Sequence, residues 1–175
     1  MQFGAKRFGL KVHEFRKFVD LPRRVKQTLE IALDIHAGDA MDRALLETHG
    51  WRLISPGEVA FDPHSFRRYV QQSGGEFSVA QGIYVETNSG WFSDRTVRYL
   101  ASGKPALVQD TGFSDLLPCG KGLVPFRTLE QASAGAAEIA ANYDEHAAAA
   151  RAIAVSYFDS DVILSRFLQE SGVAV

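Results

Sequence analysis

The stretch Tyr99-Leu100-Ala101-Ser102-Gly103-Lys104-Pro105-Ala106-Leu107-Val108-Gln109-Asp110-Thr111-Gly112-Phe113 decides the fold. Its first residues end a helix, and Gly103 stops it, glycine being free to take the left-handed backbone that closes helices. Pro105 to Gln109 is a short apolar run of strand length. Asp110-Thr111-Gly112 is turn chemistry. Helix, stop, buried strand and turn make up half of a strand–helix–strand crossover.

The same alternation runs outward in both directions. Upstream, the helix begins near Trp91 or Ser93, with Val97, Leu100 and Ala101 inward, and residues 81–90 read as a loop. Phe77-Ser78-Val79-Ala80 is a strand after the break Ser73-Gly74-Gly75. Asp62-Pro63 opens a helix, a capping acid followed by proline at the first helical position. Its inner face is Phe66, Tyr69, Val70 and Ser73, and its outer face is Arg67, Arg68, Gln71 and Gln72. Thr28–Leu33 and Trp51–Ser55 are two earlier strands. Between them Asp39 caps a helix with Met41, Ala44, Leu45 and Thr48 on one face, stopped by Gly50. Downstream, Gly122–Phe126 is a fifth strand whose Pro125 marks an edge or an end. Thr128 and Gln131 form a capping box before an alanine-rich helix. Asp144–Tyr157 and Asp159–Glu170 are further helices, the last over Val162, Ile163, Phe167 and Leu168.

Repeated strand–helix alternation requires crossovers. The expected fold is α/β: a Rossmann-like, open, mainly parallel sheet of about five strands, with helices on both faces and C-terminal helices. It spans residues 28–175, preceded by a basic segment, 1–27. No repeat period appears.

Composition narrows the class. The chain has 175 residues, 46% hydrophobic and 23% charged, which supports a packed core. The net charge of −2 gives no global field for nucleic acid, so no nucleic-acid partner is expected. The charge is nevertheless uneven. Residues 1–27 carry Lys6, Arg7, Lys11, Arg16, Lys17, Arg23, Arg24 and Lys26 against Glu14 and Asp20. Phe3, Phe8, Phe15 and Phe18 suggest that this segment packs, and Phe15, Phe18 and Leu21 fit one helical stripe stopped by Pro22. The longest charge-free run found, Phe77–Val85, is too short to span a bilayer. A cytoplasmic protein without a membrane span is expected. The single cysteine, Cys119, excludes an internal disulfide. His13, His36, His49, His64 and His146 are dispersed, so no metal site is expected.

In such folds ligands bind beyond the carboxyl ends of the strands. The loops at that edge are 55–61, 81–91, 109–120 and 126–128. Ser89-Gly90-Trp91-Phe92-Ser93-Asp94-Arg95 enters a helix whose first turn has unpaired amides and the positive end of the dipole. With Ser93 as cap and Gly90 admitting close approach, it suits a phosphate or pyrophosphate. Arg95 or Arg98 could add charge-assisted bonds, and Asp94 competes for the same dipole. Asp110-Thr111-Gly112-Phe113 is the second candidate, its backbone amides facing sugar or phosphate oxygens. An ordinary capped helix and a tight turn account for the same residues. No Gly-x-Gly-x-x-Gly or Walker loop is present.

The run from Ser89 through Tyr99-Leu100-Ala101-Ser102-Gly103-Lys104-Pro105 to Phe113, with the tail Tyr157-Phe158-Asp159-Ser160-Asp161, resembles the C-terminal, nucleotide-sugar donor-binding lobe of GT-B fold glycosyltransferases. The resemblance covers roughly residues 28–170. It implies a nucleotide-diphosphate sugar as substrate, with no cofactor and no metal. The diphosphate would meet 89–95, the sugar 110–113, and the base and ribose the loops 55–58 and 81–86, including Gln81 and Glu86. Many retaining members carry two glutamates spaced eight apart, where this chain has Gly90 and Arg98. Gln81 stands where a basic residue is common. The acceptor-binding lobe is missing, so a separate lobe or a homo-oligomer is the implied partner. The alternative is a non-catalytic α/β binding or interaction module descended from such a lobe.

Overall fold

A computed structural model describes residues 2–3 and 6–172. Phe3, Lys6 and Arg7 of the basic arm are described in backbone only. The elements are β1 (Gln2–Phe3), β2 (Lys6–Arg7), α1 (Lys11–Arg16), β3 (Glu30–Ala32), α2 (Ala40–Thr48), β4 (Arg52–Ile54), α3 (Pro56–Val59), α4 (Pro63–Gln72), β5 (Glu76–Ser78), α5 (Gly82–Glu86), α6 (Asp94–Ala101), β6 (Ala106–Gln109), β7 (Leu123–Phe126), α7 (Leu129–Ala141), α8 (Tyr143–Phe158) and α9 (Ser160–Glu170).

Local chemistry sets the helix starts. Asp62 Oδ1 accepts from the Ser65 amide at 2.6 Å, and Ser65 Oγ accepts from the Asp62 amide at 3.0 Å. Thr128 and Gln131 cap α7 in the same reciprocal way. Asp159 accepts from the Asp161 amide at 2.9 Å and starts α9. Two regions depart from the sequence pattern. A 3-10 turn at Ala37–Asp39 precedes α2, and on that helix Met41 is 87% exposed and Leu46 is buried instead. The stretch 81–90 also contains a short helix, α5, that no apolar periodicity announces.

The expectation of one five-stranded sheet is corrected. The strands are parallel to their partners but form two sheets, β3–β4 and β5–β6–β7, beside a β1–β2 antiparallel ribbon. Ile31 lies opposite Leu53, and Phe77 lies opposite Leu107, itself opposite Val124. A cavity of about 1160 Å³, lined by both β3 and β5, lies between the sheets. The two sheets meet through side chains instead of a ladder. The Trp51 and Phe77 rings are 5.8 Å apart, and Phe15 sits 4.9 Å from Trp51.

Helices cover both faces of the three-stranded sheet. Ala106 and Val108 of β6 join Leu100, Ala150, Ile153 and Ala154 on one side. Leu107 joins Phe18, Leu21, Phe126 and Ala132 on the other. Alternate residues of β6 therefore serve two cores, as a central strand requires. Phe18 and Leu21 are only 1% and 0% exposed, so the basic N-terminal segment is built into the main core. Several of its charges are paired: Arg16 with Asp42, Lys17 with Glu14, Arg23 with Asp20 and Arg24 with Glu130. By contrast α9 leaves Val162, Leu164, Phe167 and Leu168 exposed, against the expectation that Val162, Phe167 and Leu168 face inward. Among the described residues no helix is long and apolar enough to cross a membrane.

Candidate functional site

The loops that leave β5, β6 and β7 at their carboxyl ends are tied to one another. After β5, the Ala80 amide donates to Gln109 Oε1 at 3.0 Å, fixing the start of the 81–93 segment against β6. Asn88 takes a left-handed backbone (φ 51°), and so does Gly90 (φ 73°). This turn carries the Gly90 amide to the Thr111 carbonyl at 2.8 Å. The Thr111 hydroxyl donates back to the Trp91 carbonyl at 2.6 Å. The two segments singled out in the sequence are thus one surface, clamped in both directions.

Asp110 organises the second loop. Its Oδ1 accepts from the Gly112 amide at 2.9 Å, and its Oδ2 accepts from the Ser114 hydroxyl at 2.8 Å. Arg127, the residue after β7, donates to the same Oδ2 through Nε at 3.2 Å and Nη2 at 2.9 Å. Arg127 Nη2 also reaches Asn88 Oδ1 at 3.1 Å. Burial works to raise the Asp110 carboxyl. The bonds from Gly112, Ser114 and Arg127, with the Arg127 charge, outweigh it and hold the group below the usual carboxylate range. Gly112 has φ 99°, and a Cβ there would stand 3.0 Å from the Asn88 carbonyl oxygen, so glycine is needed for the loops to meet.

Ser93 caps α6, its hydroxyl oxygen accepting from the Arg95 amide at 3.3 Å. Ser89 Oγ accepts from the Trp91 amide at 3.3 Å. Trp91 stacks on Tyr84 with centroids 5.1 Å apart. Phe92 packs between Phe113 and Phe158, at 5.1 and 5.4 Å. Asp94 is exposed and bonds Arg98 at 2.8 Å. Arg95 turns away from this turn, its Nε 2.6 Å from Glu76 Oε1 and its Nη2 3.0 Å from Ser78 Oγ. Gln81 and Glu86 bracket α5, both exposed.

Three contributors were not visible in the sequence pattern. Arg127 sits at the same rim with its side chain half exposed. Its position just after the last strand was the available signal. Asn88 joins the two loops. Glu14, in the N-terminal segment, is buried against the rim: Lys17 Nζ lies 2.7 Å from Oε1, and Gln109 Nε2 donates to Oε2 at 3.1 Å. Cys119 is an exposed residue, yet desolvation of its thiol and the negative charge of Asp110 push it up to about 11. That is the reverse of what an activated nucleophile needs.

The rim therefore combines the positive end of α6 with a guanidinium held in place by a buried carboxylate, the Gly90 and Gly112 amides being used within the loops. This combination suits a bound anion. Compared with known protein families, with curated proteins and with solved structures, the chain matches none of them.

Proposed function

We propose that this chain is a donor-binding lobe for glycosyl transfer. It holds a nucleotide-diphosphate sugar at the rim formed by 88–95, 110–114 and Arg127, and it needs an acceptor-binding lobe to complete the reaction. One observation carries the reading: the reciprocal clamp between Gly90–Trp91 and Thr111 sets the α6 start and the Asp110–Gly112 turn side by side. The diphosphate lies against the first amides of α6 with Arg127 beside it. The sugar faces Asp110–Phe113, and the base and ribose face the 81–86 segment. The lobe's chemical contribution is electrostatic: fixed amides and a fixed cation stabilise the departing diphosphate.

A second reading, a non-catalytic module of the same fold, is favoured by the pairing of Arg95 with Glu76 and of Arg98 with Asp94. Both guanidiniums are engaged by carboxylates of the chain itself. Isothermal titration with UDP, GDP and inorganic pyrophosphate separates the two readings. The donor-lobe reading expects saturable heat with at least one nucleoside diphosphate, weakened in Arg127→Ala. Absence of heat and of thermal shift at millimolar ligand leaves the module.

A further inference from the structure

The cavity between the two sheets has the walls of a missing strand. Among the described residues β3 has only β4 as a strand neighbour, and β5 has only β6. Hydrogen bonds fix which backbone groups face the gap. The Glu76 amide donates to the Pro105 carbonyl, and the Ala80 amide turns to Gln109. Along a strand these groups alternate sides, so the amides and carbonyls of Phe77 and Val79 point away from β6. On the other wall the Leu29 carbonyl accepts from Arg52 and the Leu33 amide donates to Ile54. Glu30 and Ala32 therefore point away from β4. All four residues except Val79 lie in β3 or β5, and all four line the cavity.

The two faces of the gap differ. On one, Leu29, Ile31, Leu33, Phe77 and Val79 belong to the apolar core around Trp51 and Phe18. On the other, Glu30 pairs with Arg52, and Glu76 with Arg95. The Glu76 side chain is 3% exposed, and its Oε2 is buried without a hydrogen-bond partner among the described residues. A five-residue strand, about 17 Å long in a layer about 4.8 Å wide and about 10 Å deep, occupies roughly 800 Å³. The cavity, about 1160 Å³, accommodates that volume.

We propose that this cavity is a docking site for an extended segment of a partner polypeptide, which lies between β3 and β5 and joins the two sheets by β-augmentation. The segment alternates apolar residues, set against Ile31 and Phe77, with polar residues on the face that carries the Glu30–Arg52 and Glu76–Arg95 pairs. Free strand edges give the affinity and the two unlike faces give the specificity. The proposal stands without the sugar-transfer reading.

The test uses the full chain and a six-residue peptide alternating valine and threonine, acetylated and amidated at its ends. Its analogue N-methylated at alternate residues is the control. The expected result is at least about tenfold slower amide exchange at Glu30, Ala32, Phe77 and Val79 with the first peptide, and no change with the second. Ala32→Pro, which removes an edge amide without touching the β4 ladder, should weaken peptide binding about tenfold and keep the thermal midpoint. Unchanged exchange at millimolar peptide would overturn the proposal. So would equal protection by the N-methylated peptide, or full affinity in Ala32→Pro. Protection present without peptide and lost on dilution would make a second copy the occupant, and would also overturn it. A nucleotide titration is unaffected by any of these outcomes.

Discussion

Arg127 and Asp110 lock the ends of two adjacent strands, Nη2 of the arginine lying 2.9 Å from Oδ2 of the aspartate. One partner is almost fully buried and the other is half exposed, at 8% and 50%. The carboxylate therefore aims a cation that water and ligands can reach. The same guanidinium reaches Asn88, so it reports on both loops of the rim.

Replacing that cation should affect binding first. Arg127→Ala is expected to weaken nucleoside diphosphate binding by about 1.5–3 kcal/mol, the range for a hydrogen bond to a charged group. Arg127→Lys keeps the charge but not the planar fork and should fall between. Calorimetry on the three proteins checks the order. Equal affinities would remove Arg127 from the site.

Asp110 should also make the fold acid-sensitive. Its folded carboxyl titrates below its ordinary value, so its stabilising contribution is present above about pH 4, the unfolded value for aspartate. That contribution is lost as pH falls through the lower folded value. Urea unfolding of wild type and Asp110→Asn between pH 6 and pH 3 tests this. The stability difference between the two should shrink at the acid end, and a constant difference would contradict it.

The N-terminal segment should be indispensable to folding. Leu21 is fully buried in the core shared with Trp51, Leu107 and Phe126. Leu21→Ala is expected to cost about 2–5 kcal/mol in denaturant unfolding. A loss below about 1 kcal/mol would mean that 1–27 is a separable arm.

Gly122 should resist substitution. It sits at φ 76°, and a Cβ there would overlap the α8 backbone, lying 2.7 Å from the carbonyl carbon of Ala149. Strained backbone costs about 1–3 kcal/mol by itself, and the overlap adds to it. Gly122→Ala should therefore lower the urea midpoint well beyond the shift seen with Gly74→Ala, where nothing stands within 4 Å of the added carbon. Equal shifts would contradict the close approach of β7 to α8.

The elements were legible where a local rule decided them. Asp62-Pro63, the Thr128/Gln131 box, Asp159 and Gly103 each fix a boundary through their own side chain or backbone freedom, and each boundary falls within a residue or two of its expected place. Pairing between sheets was not legible. β3 and β5 are three residues long, and nothing in their apolar runs says whether the neighbouring strand belongs to the same sheet. The inner face of α2 differs from the expected one, with Leu46 buried and Met41 exposed. The 89–95 and 110–113 segments were recognisable as rim loops, and the structure brings them together. Arg95 and Arg98 are the cations that the sequence pattern offers to the site. Only the fold places Glu76 and Ser78 within reach of Arg95 and leaves Arg127 at the rim.

The most direct measurement is an amide chemical-shift map of the full chain titrated with UDP and with GDP. The largest saturable shifts are expected at Asp94, Thr96 and Gly112 and at the Arg127 guanidinium, with the cavity-facing amides of Ala32 and Phe77 unmoved. Shifts scattered over the surface, or absent at millimolar nucleotide, would contradict a diphosphate site at this rim.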